Sequence, residues 1–211
     1  MVEWNLDSLR RLGISPEEDD KPPVMVPRHD AVMAVERLLG LHGLQEKGFI
    51  HLHPASRWSF KCWPVRQNAA LIDALHGRGE TVVLTAAPDA EEKDFIARIV
   101  SQCARPPINL AGELSLQGLA ALSSRAKLFV GVDSAPMHIA SAMRTPVVAL
   151  FGPSGEAEWG PWGAMTRVVV SERHVCRPCG VDGCGGGKIS DCLSTLPENA
   201  VLRAIDELLD R

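Results

Sequence analysis

Two hydrophobic periodicities alternate at short intervals between residues 48 and 151. Strand-like runs occur in the order GFIHLHP, ETVVLTA, PPINLAG, KLFVGVD and TPVVALFG, and helical runs such as QNAALIDALHGRG and SLQGLAALSSRA lie between them. The strand-like runs lack a clean apolar-polar alternation, which is typical of strands that are covered on both faces. The sequence therefore predicts an α/β fold with a doubly wound parallel sheet.

The same pattern predicts where individual elements begin and how the rest of the chain is organised. Ser115 is the expected N-cap of one helix, and Pro136 falls in the first turn of the next. Residues 1–45 are predicted as a polar, proline-broken linker with a leading helix, and residues 46–211 as one domain. After Gly152 the chain becomes rich in Pro, Gly, Trp and Cys, and LPENAVLRAIDELLDR predicts a closing amphipathic helix.

Composition excludes several classes of protein. The chain has 211 residues, 22 Lys and Arg against 26 Asp and Glu, and a formal net charge of -4, with no basic run that would suggest a nucleic-acid partner. The longest apolar runs are far shorter than the roughly 20 residues of a membrane-spanning helix. The N-terminus lacks the apolar region of a signal peptide, so the cytoplasm is the expected compartment.

The segment GVDSAPMH places an acid and a histidine at the carboxyl end of a predicted strand. Ligands of open α/β sheets bind at this edge, where helix N-termini offer free N–H groups to anions. Two interpretations fit the residues. Asp133 and Ser134 either cap the helix beside a half-buried His138, or Asp133 meets sugar hydroxyls while backbone amides meet phosphates, as a nucleotide-sugar would require.

Two more segments carry polar residues at the same predicted edge. Ser56, Arg57 and Lys61 follow the first strand in HPASRWSFKCWP and offer a hydroxyl and two cations to a diphosphate. Glu91 lies in the first turn of the helix after VVLTAAPD, where a carboxylate could hold ribose hydroxyls. The alternatives are solvated loop charges and an acid that stabilises the helix dipole.

In chain order, HPASRWSFKCWP, TAAPDAEE and the long run LAGELSLQGLAALSSRAKLFVGVDSAPMHIASAMRTPVVALFGPSGEAEWGPWG closely resemble the ADP-heptose:lipopolysaccharide heptosyltransferases. The ending CRPCGVDGCGGGKISDCLSTLP is similar to the heptosyltransferase III subgroup. The resemblance covers residues 48–211. It implies the GT-B architecture, in which two Rossmann-like domains enclose a cleft, and identifies this chain with the C-terminal, nucleotide-sugar-binding domain.

The resemblance also implies roles for individual residues toward the donor, ADP-heptose. Three residues are expected to take part in catalysis: Lys61, Asp133 and His138. The expected donor contacts are Ser56 and Lys61 for the diphosphate, Glu91 for the ribose, the backbone near Leu114 for adenine, Asp133 for heptose hydroxyls, the Ser134 and Ala135 amides for phosphates, and His138 on the phosphate side. No metal and no cofactor beside the donor substrate is expected.

The implied reaction needs partners outside this domain. The expected function is transfer of heptose to the inner core of lipopolysaccharide, with the base and the acceptor site in an N-terminal domain that this chain is expected to lack. A non-catalytic nucleotide-binding module or pseudoenzyme is the alternative. Because the acceptor is a lipid, peripheral association with the inner membrane is compatible with the cytoplasmic location.

Four of the six cysteines form the pattern C-x2-C-x4-C-x7-C: Cys176, Cys179, Cys184 and Cys192. The first pair has the spacing of structural zinc sites, and His174 adds another candidate ligand. The alternative is that the thiols pack a compact loop, since free cysteine behaves as a small apolar residue. Because the resembled family is not generally a zinc family, packing is the expectation.

Overall fold

The structure, a computed structural model, describes residues 2–17, 21–163 and 165–209. Six strands occur in this part of the chain: β1 (Phe49–His53), β2 (Thr81–Leu84), β3 (Ile108–Asn109), β4 (Leu128–Val132), β5 (Val147–Phe151) and β6 (Thr166–Val170). The helices are α1 (Val2–Arg10), α2 (His29–Leu41), α3 (Val65–Gly77), α4 (Ala90–Val100), α5 (Leu116–Arg125), α6 (Ala135–Ala142), α7 (Glu156–Trp159), α8 (Asp191–Ser194) and α9 (Glu198–Leu209).

All neighbouring strands of the sheet are parallel, and their order is β3-β2-β1-β4-β5-β6. The chain therefore builds outward from β1 in one direction and then outward from β4 in the other. The strand order reverses between β1 and β4, which is where doubly wound sheets bind nucleotides. The predicted Rossmann-like α/β fold is confirmed.

Helices pack on both faces of the sheet, so side chains that point to either side of β1 and β4 are buried. Ile50 and Leu52 of β1 belong to a core that also contains Ile72 of α3, Ile96 of α4 and Ile205 of α9. Phe49 packs on the opposite face with residues of α2 and α5, and Phe129 of β4 packs there with Met137 of α6. This two-sided burial explains why the strand sequences are apolar without alternation.

Three predicted details of the helices agree with the structure. Ser115 is the N-cap of α5, and its hydroxyl accepts the Gly118 N–H at 3.1 Å. Pro136 lies in the first turn of α6. The closing helix is α9, whose apolar stripe includes Val201 and Leu208.

The sequence pattern did not predict α1, β6 or the short helices α7 and α8. Helix α1 lies within the segment expected to be a polar linker, and an ion pair joins its Arg10 and Glu3 at 2.5 Å. Strand β6 lies in the segment after Gly152 that is rich in Pro, Gly, Trp and Cys, where no strand was predicted. Helix α2, by contrast, corresponds to the predicted leading helix, and it packs into the core through Val35 and Leu39.

Within the described residues, no helix has both the length and the apolar character that a membrane span requires.

Candidate functional site

A cavity of about 680 Å³ opens at the carboxyl edge of the sheet. Its walls are the loops that follow β1, β2 and β4 together with the N-terminal ends of α5 and α6. A separate cavity of about 620 Å³ lies between β6 and α9, shares no residue with the first and contains none of the predicted site residues. The chemistry predicted from the sequence is therefore concentrated at the sheet edge where the strand order reverses.

The structure brings together seven of the eight residues predicted to contact the donor. They line the cavity at the carboxyl edge: Ser56, Lys61, Leu114, Asp133, Ser134, Ala135 and His138. Arg57 also lines it, with its guanidinium 5.5 Å from the ring centroid of Trp58. These residues are far apart in sequence but adjacent in space because parallel strands end at one edge.

Glu91 is exposed and lies outside the cavity, whereas its neighbour Glu92 lines it. The Asp89 carboxylate caps α4 by accepting the N–H groups of both Glu91 and Glu92. The Glu92 carboxylate turns back toward the loop after β2 and accepts the Ala87 N–H at 2.9 Å. The helix register therefore presents Glu92 rather than Glu91 to the cavity.

An ion pair joins two of the predicted catalytic residues across the cavity. The Lys61 ammonium donates to the Asp133 carboxylate at 2.6 Å. Lys61 ends a short 3-10 helix, Ser59–Lys61, and Asp133 follows β4 and is only 6% exposed. The two side chains are 72 residues apart in sequence, and no sequence pattern indicates that they meet.

The N-terminus of α6 faces the same cavity. Ser134 is its N-cap in an extended conformation, but its hydroxyl donates to the Val132 carbonyl at 3.3 Å instead of capping the helix. The first-turn N–H groups of a helix have no intrahelical partners. Because the Ser134 side chain does not engage them, the amides at Ser134 and Ala135 are suited to binding an anion.

His138 lies one turn into α6, within the field of the Lys61–Asp133 pair. Burial lowers the pKa of its imidazole, the Asp133 carboxylate opposes that effect, and the Lys61 ammonium adds to it. The net direction is downward from the ordinary value, so the ring is neutral at pH 7.

His53 was not predicted as a site residue because it is the last residue of β1 and belongs to the strand-like run GFIHLHP. The residue is 4% exposed and lines the cavity. Its Nδ1 lies 2.8 Å from the Thr85 hydroxyl. Thr85 directly follows strand β2. The only sequence signal for this pair was that His53 in HLHP and Thr85 in VVLTA both lie at strand ends.

A second cavity, of about 760 Å³, adjoins the first. The two share Trp58, Lys61 and Trp159, and Phe60 lines the second one. The Trp58 and Trp159 side chains are 49% and 42% exposed, so these rings border solvent where the cavities meet.

The cysteine segment lies near the second cavity, which Cys179 lines. Cys176, Cys179 and Cys184 are exposed, whereas Cys192 is buried, and burial is the main cause that raises its pKa. Across the described ranges, no three His, Cys, Asp or Glu side chains are grouped so that they could hold a metal ion.

Comparisons with known proteins identify the family of this chain. The family description "Glycosyltransferase family 9 (heptosyltransferase)" matches residues 17–189. Lipopolysaccharide heptosyltransferase 3 of Escherichia coli is 44% identical over 163 residues, which are 77% of this chain and 47% of that protein. The chain thus spans about half the length of the curated relatives that it matches.

Solved structures show the same fold. The E. coli ADP-heptose lipopolysaccharide heptosyltransferase II matches with a TM-score of 0.72 and 26% identity, over 92% of this chain and 55% of that one. A glycosyltransferase family 9 protein from Veillonella parvula matches with a TM-score of 0.81 and 24% identity, over 97% of this chain and 58% of that one. On its family match and its identity to the E. coli relative, the chain belongs to glycosyltransferase family 9, the heptosyltransferases.

Proposed function

We propose that this chain binds the sugar-nucleotide donor of a heptosyltransferase, ADP-heptose, in the cavity at the carboxyl edge of the sheet. One observation carries the proposal: a cation, a helix N-terminus and a buried carboxylate converge in a cavity of about 680 Å³ at the point where the strand order reverses. Such a cavity matches the alternation of phosphate, hydroxyl and apolar groups along a nucleotide-sugar.

The cavity provides separate surfaces for the nucleoside and the diphosphate. Leu114 and Leu119 form an apolar wall for adenine, and the Glu92 carboxylate lies beside the loop after β2, where it is suited to ribose hydroxyls. Lys61 and the amides at the N-terminus of α6 provide positive charge for the diphosphate. In this assignment Glu92 takes the ribose role that the resemblance gave to Glu91.

Asp133 is assigned to the heptose hydroxyls, and its ion pair with Lys61 links the sugar site to the diphosphate site. A carboxylate accepts hydrogen bonds from two or more hydroxyls and still retains a bond from an ammonium group. The pair therefore orients Lys61 before the donor arrives, so little side-chain conformational freedom is lost on binding.

The proposed reaction is an inverting transfer. A base from an acceptor domain removes the proton of an acceptor hydroxyl, whose oxygen forms a bond to the anomeric carbon of heptose while the bond from that carbon to the diphosphate oxygen breaks. Negative charge develops on the departing ADP, where Lys61 and the α6 N-terminus stabilise it. Neutral His138 lies on this phosphate side, and the step requires no cofactor beyond the donor.

The proposed acceptor is the inner core of lipopolysaccharide. Its saccharide would enter from the side of the second cavity, where Trp58 and Trp159 border both spaces. We place the reaction in the cytoplasm, with peripheral contact to the inner membrane that carries the acceptor.

A donor screen tests the proposed specificity. ADP-heptose, ADP-glucose, a UDP-sugar and NAD are each titrated against the chain while its melting temperature is measured. At equal concentration, a ligand that binds only the folded state raises the melting temperature more the more tightly it binds, so ADP-heptose is expected to give the largest rise. An equal or larger rise with the UDP-sugar or NAD would contradict the assignment.

A further inference from the structure

His53 carries an unpaired polar atom on a buried side chain at the cavity wall. The residue is 4% exposed, and its Nδ1 lies 2.8 Å from the Thr85 hydroxyl. Its other ring nitrogen, Nε2, has no hydrogen-bond partner among the described residues. Within those residues, the one side-chain nitrogen or oxygen that is both fully buried and unpartnered is His76 Nδ1, so His53 Nε2 is not fully buried. The small exposed part of the ring therefore includes Nε2, which opens into the cavity.

A chain of buried polar groups holds the ring from behind. The Thr85 hydroxyl lies 2.8 Å from His53 Nδ1 and 2.7 Å from His51 Nε2, and His51 Nδ1 lies 3.0 Å from the Ser123 hydroxyl. The ring of His51 also meets Phe129 edge-on, with centroids 5.0 Å apart. These contacts hold His51 and Thr85 in place behind the His53 ring.

The Thr85 hydroxyl has one proton, so it donates to only one of the two rings. If it donates to His53 Nδ1, then Nε2 carries the remaining proton and is a donor toward the cavity. In that pattern His51 donates from Nε2 to Thr85 and accepts at Nδ1 from Ser123. In the opposite pattern His53 Nε2 is an acceptor.

The ligand that the surroundings of Nε2 attract decides between the two patterns. His53 pairs in register with Gly131 of β4, so it lies at the reversal of strand order, and Asp133 follows Gly131 by two residues, just after β4 ends. The Lys61 ammonium and the N-terminus of α6 lie in the same cavity, and both attract phosphate oxygens. Phosphate oxygens only accept hydrogen bonds, and they require the donor pattern.

We propose that His53 donates its Nε2–H to a phosphate oxygen of the bound nucleoside diphosphate, with its tautomer set by Thr85, His51 and Ser123. This assignment rests on the proposed function of the cavity. Burial lowers the pKa of His53 to about 4 and that of His51 to about 3, the latter with a smaller contribution from His53. At neutral pH His53 therefore adds a fixed donor beside Lys61 without adding a second charge.

The test compares ADP with adenosine, because only ADP has the phosphate groups. Binding of each is measured by calorimetry for the wild-type chain, His53→Phe and His53→Gln. Loss of a hydrogen bond to a charged group should weaken ADP binding to His53→Phe roughly tenfold to hundredfold, with adenosine affinity changed by less than about twofold. His53→Gln, whose amide nitrogen reaches the Nε2 position, should recover most of the ADP affinity.

The outcomes separate this inference from the function on which it rests. A wild-type chain that is folded and binds no ADP contradicts the proposed function. A wild-type chain that binds ADP, with equal ADP affinity in His53→Phe, overturns the role of His53 alone, as does an equal loss for ADP and adenosine. Nitrogen-15 spectra of the wild-type ADP complex give a test without substitution: they should show the proton on Nε2, and a proton on Nδ1 would overturn the proposal.

Discussion

At the scale of single residues, the charges in the cleft are coupled. The pKa of His138 is lowered by burial and also by Lys61, whereas Asp133 raises it. Lys61→Ala removes a lowering effect and leaves the carboxylate unopposed, so the pKa of His138 should rise. Asp133→Asn removes a raising effect, so it should lower the pKa of His138 further. Proton NMR titration of the His138 ring measures both shifts, and equal pKa values in all three proteins would show that the ion pair does not act on His138.

Two other histidines predict sensitivity to acid. The ordinary pKa of histidine is about 6.5, and burial lowers those of His51 and His53 to about 3 and about 4. As the pH falls below about 6.5, the unfolded chain takes up protons that the folded chain does not bind, so stability is lost. From pH 7 to pH 5 the expected loss is about 2 kcal/mol for each histidine.

Urea unfolding at the two pH values measures this loss. Because His53→Gln removes one of the two groups, this variant should lose about 2 kcal/mol less than the wild-type chain over the same interval. A variant that loses as much stability as the wild-type chain would contradict the burial assigned to His53.

Several site residues could be predicted from the sequence because each follows a strand-like run. Asp133, Ser134 and Lys61 are of this kind, and strand ends define the binding edge of a parallel sheet. The contact between Lys61 and Asp133 could not be predicted, since it depends on how the loops after β1 and β4 fold at the carboxyl edge of the sheet. The choice between Glu91 and Glu92 depends on the residue at which α4 begins, which the Asp89 cap fixes. A sequence pattern places the start of a helix only to within one or two residues, so it could not distinguish the two glutamates.

At the scale of elements, the five strands β1 to β5 were predictable because each is an apolar run between helical segments. Strand β6 was not, since TRVVV follows a stretch of Gly, Pro and Trp and lies after the last predicted helix of the alternating pattern. Its strand character comes from pairing with β5 from Val147 to Phe151, a tertiary contact that a local pattern does not contain. Helix α1 was missed because the polar composition of its segment suggested a linker.

Within β4, Gly131 is required by close packing. A Cβ atom there would lie 2.6 Å from the Phe129 ring and 3.0 Å from the His53 carbonyl. Gly131→Ala should therefore destabilise the fold by about 1 to 3 kcal/mol. Gly40→Ala in α2 is the matched control, since nothing lies within 4 Å of its Cβ position, and it should be neutral or stabilising by up to about 1 kcal/mol.

Chemical denaturation of both glycine variants provides the comparison. If Gly131→Ala proves as stable as Gly40→Ala, the close packing of the Phe129 ring and the His53 carbonyl around Gly131 is not as described.

At the scale of the whole molecule, donor binding and transfer are expected to separate. The described residues contain one Rossmann-like sheet, and transfer needs the acceptor hydroxyl and its base held against the anomeric carbon. Such positioning can account for roughly 7 to 11 kcal/mol of a barrier. The 211-residue chain by itself should therefore transfer no heptose to an inner-core acceptor, and its residual activity should be slow hydrolysis of ADP-heptose, since water reaches the open cleft.

Incorporation of labelled heptose into a heptose-bearing acceptor measures this activity. Addition of an acceptor domain from a relative, in trans or by fusion, should restore transfer where the interfaces match, and its failure to do so would favour a non-catalytic nucleotide-binding module. Robust transfer by the chain alone, abolished by Asp133→Ala or His138→Ala, would show that the base lies in this domain.

Calorimetric titration of the chain with ADP tests the central claim most directly. The wild-type chain should bind ADP, and Lys61→Ala should bind it roughly tenfold to hundredfold more weakly because a charge-assisted contact is lost. Lys127→Ala is the matched control, since Lys127 is also paired with a carboxylate, that of Glu80, but lies at the amino end of β4, away from the cleft. Absence of ADP binding to the folded wild-type chain at millimolar nucleotide, or equal losses in the two lysine variants, would contradict the donor site.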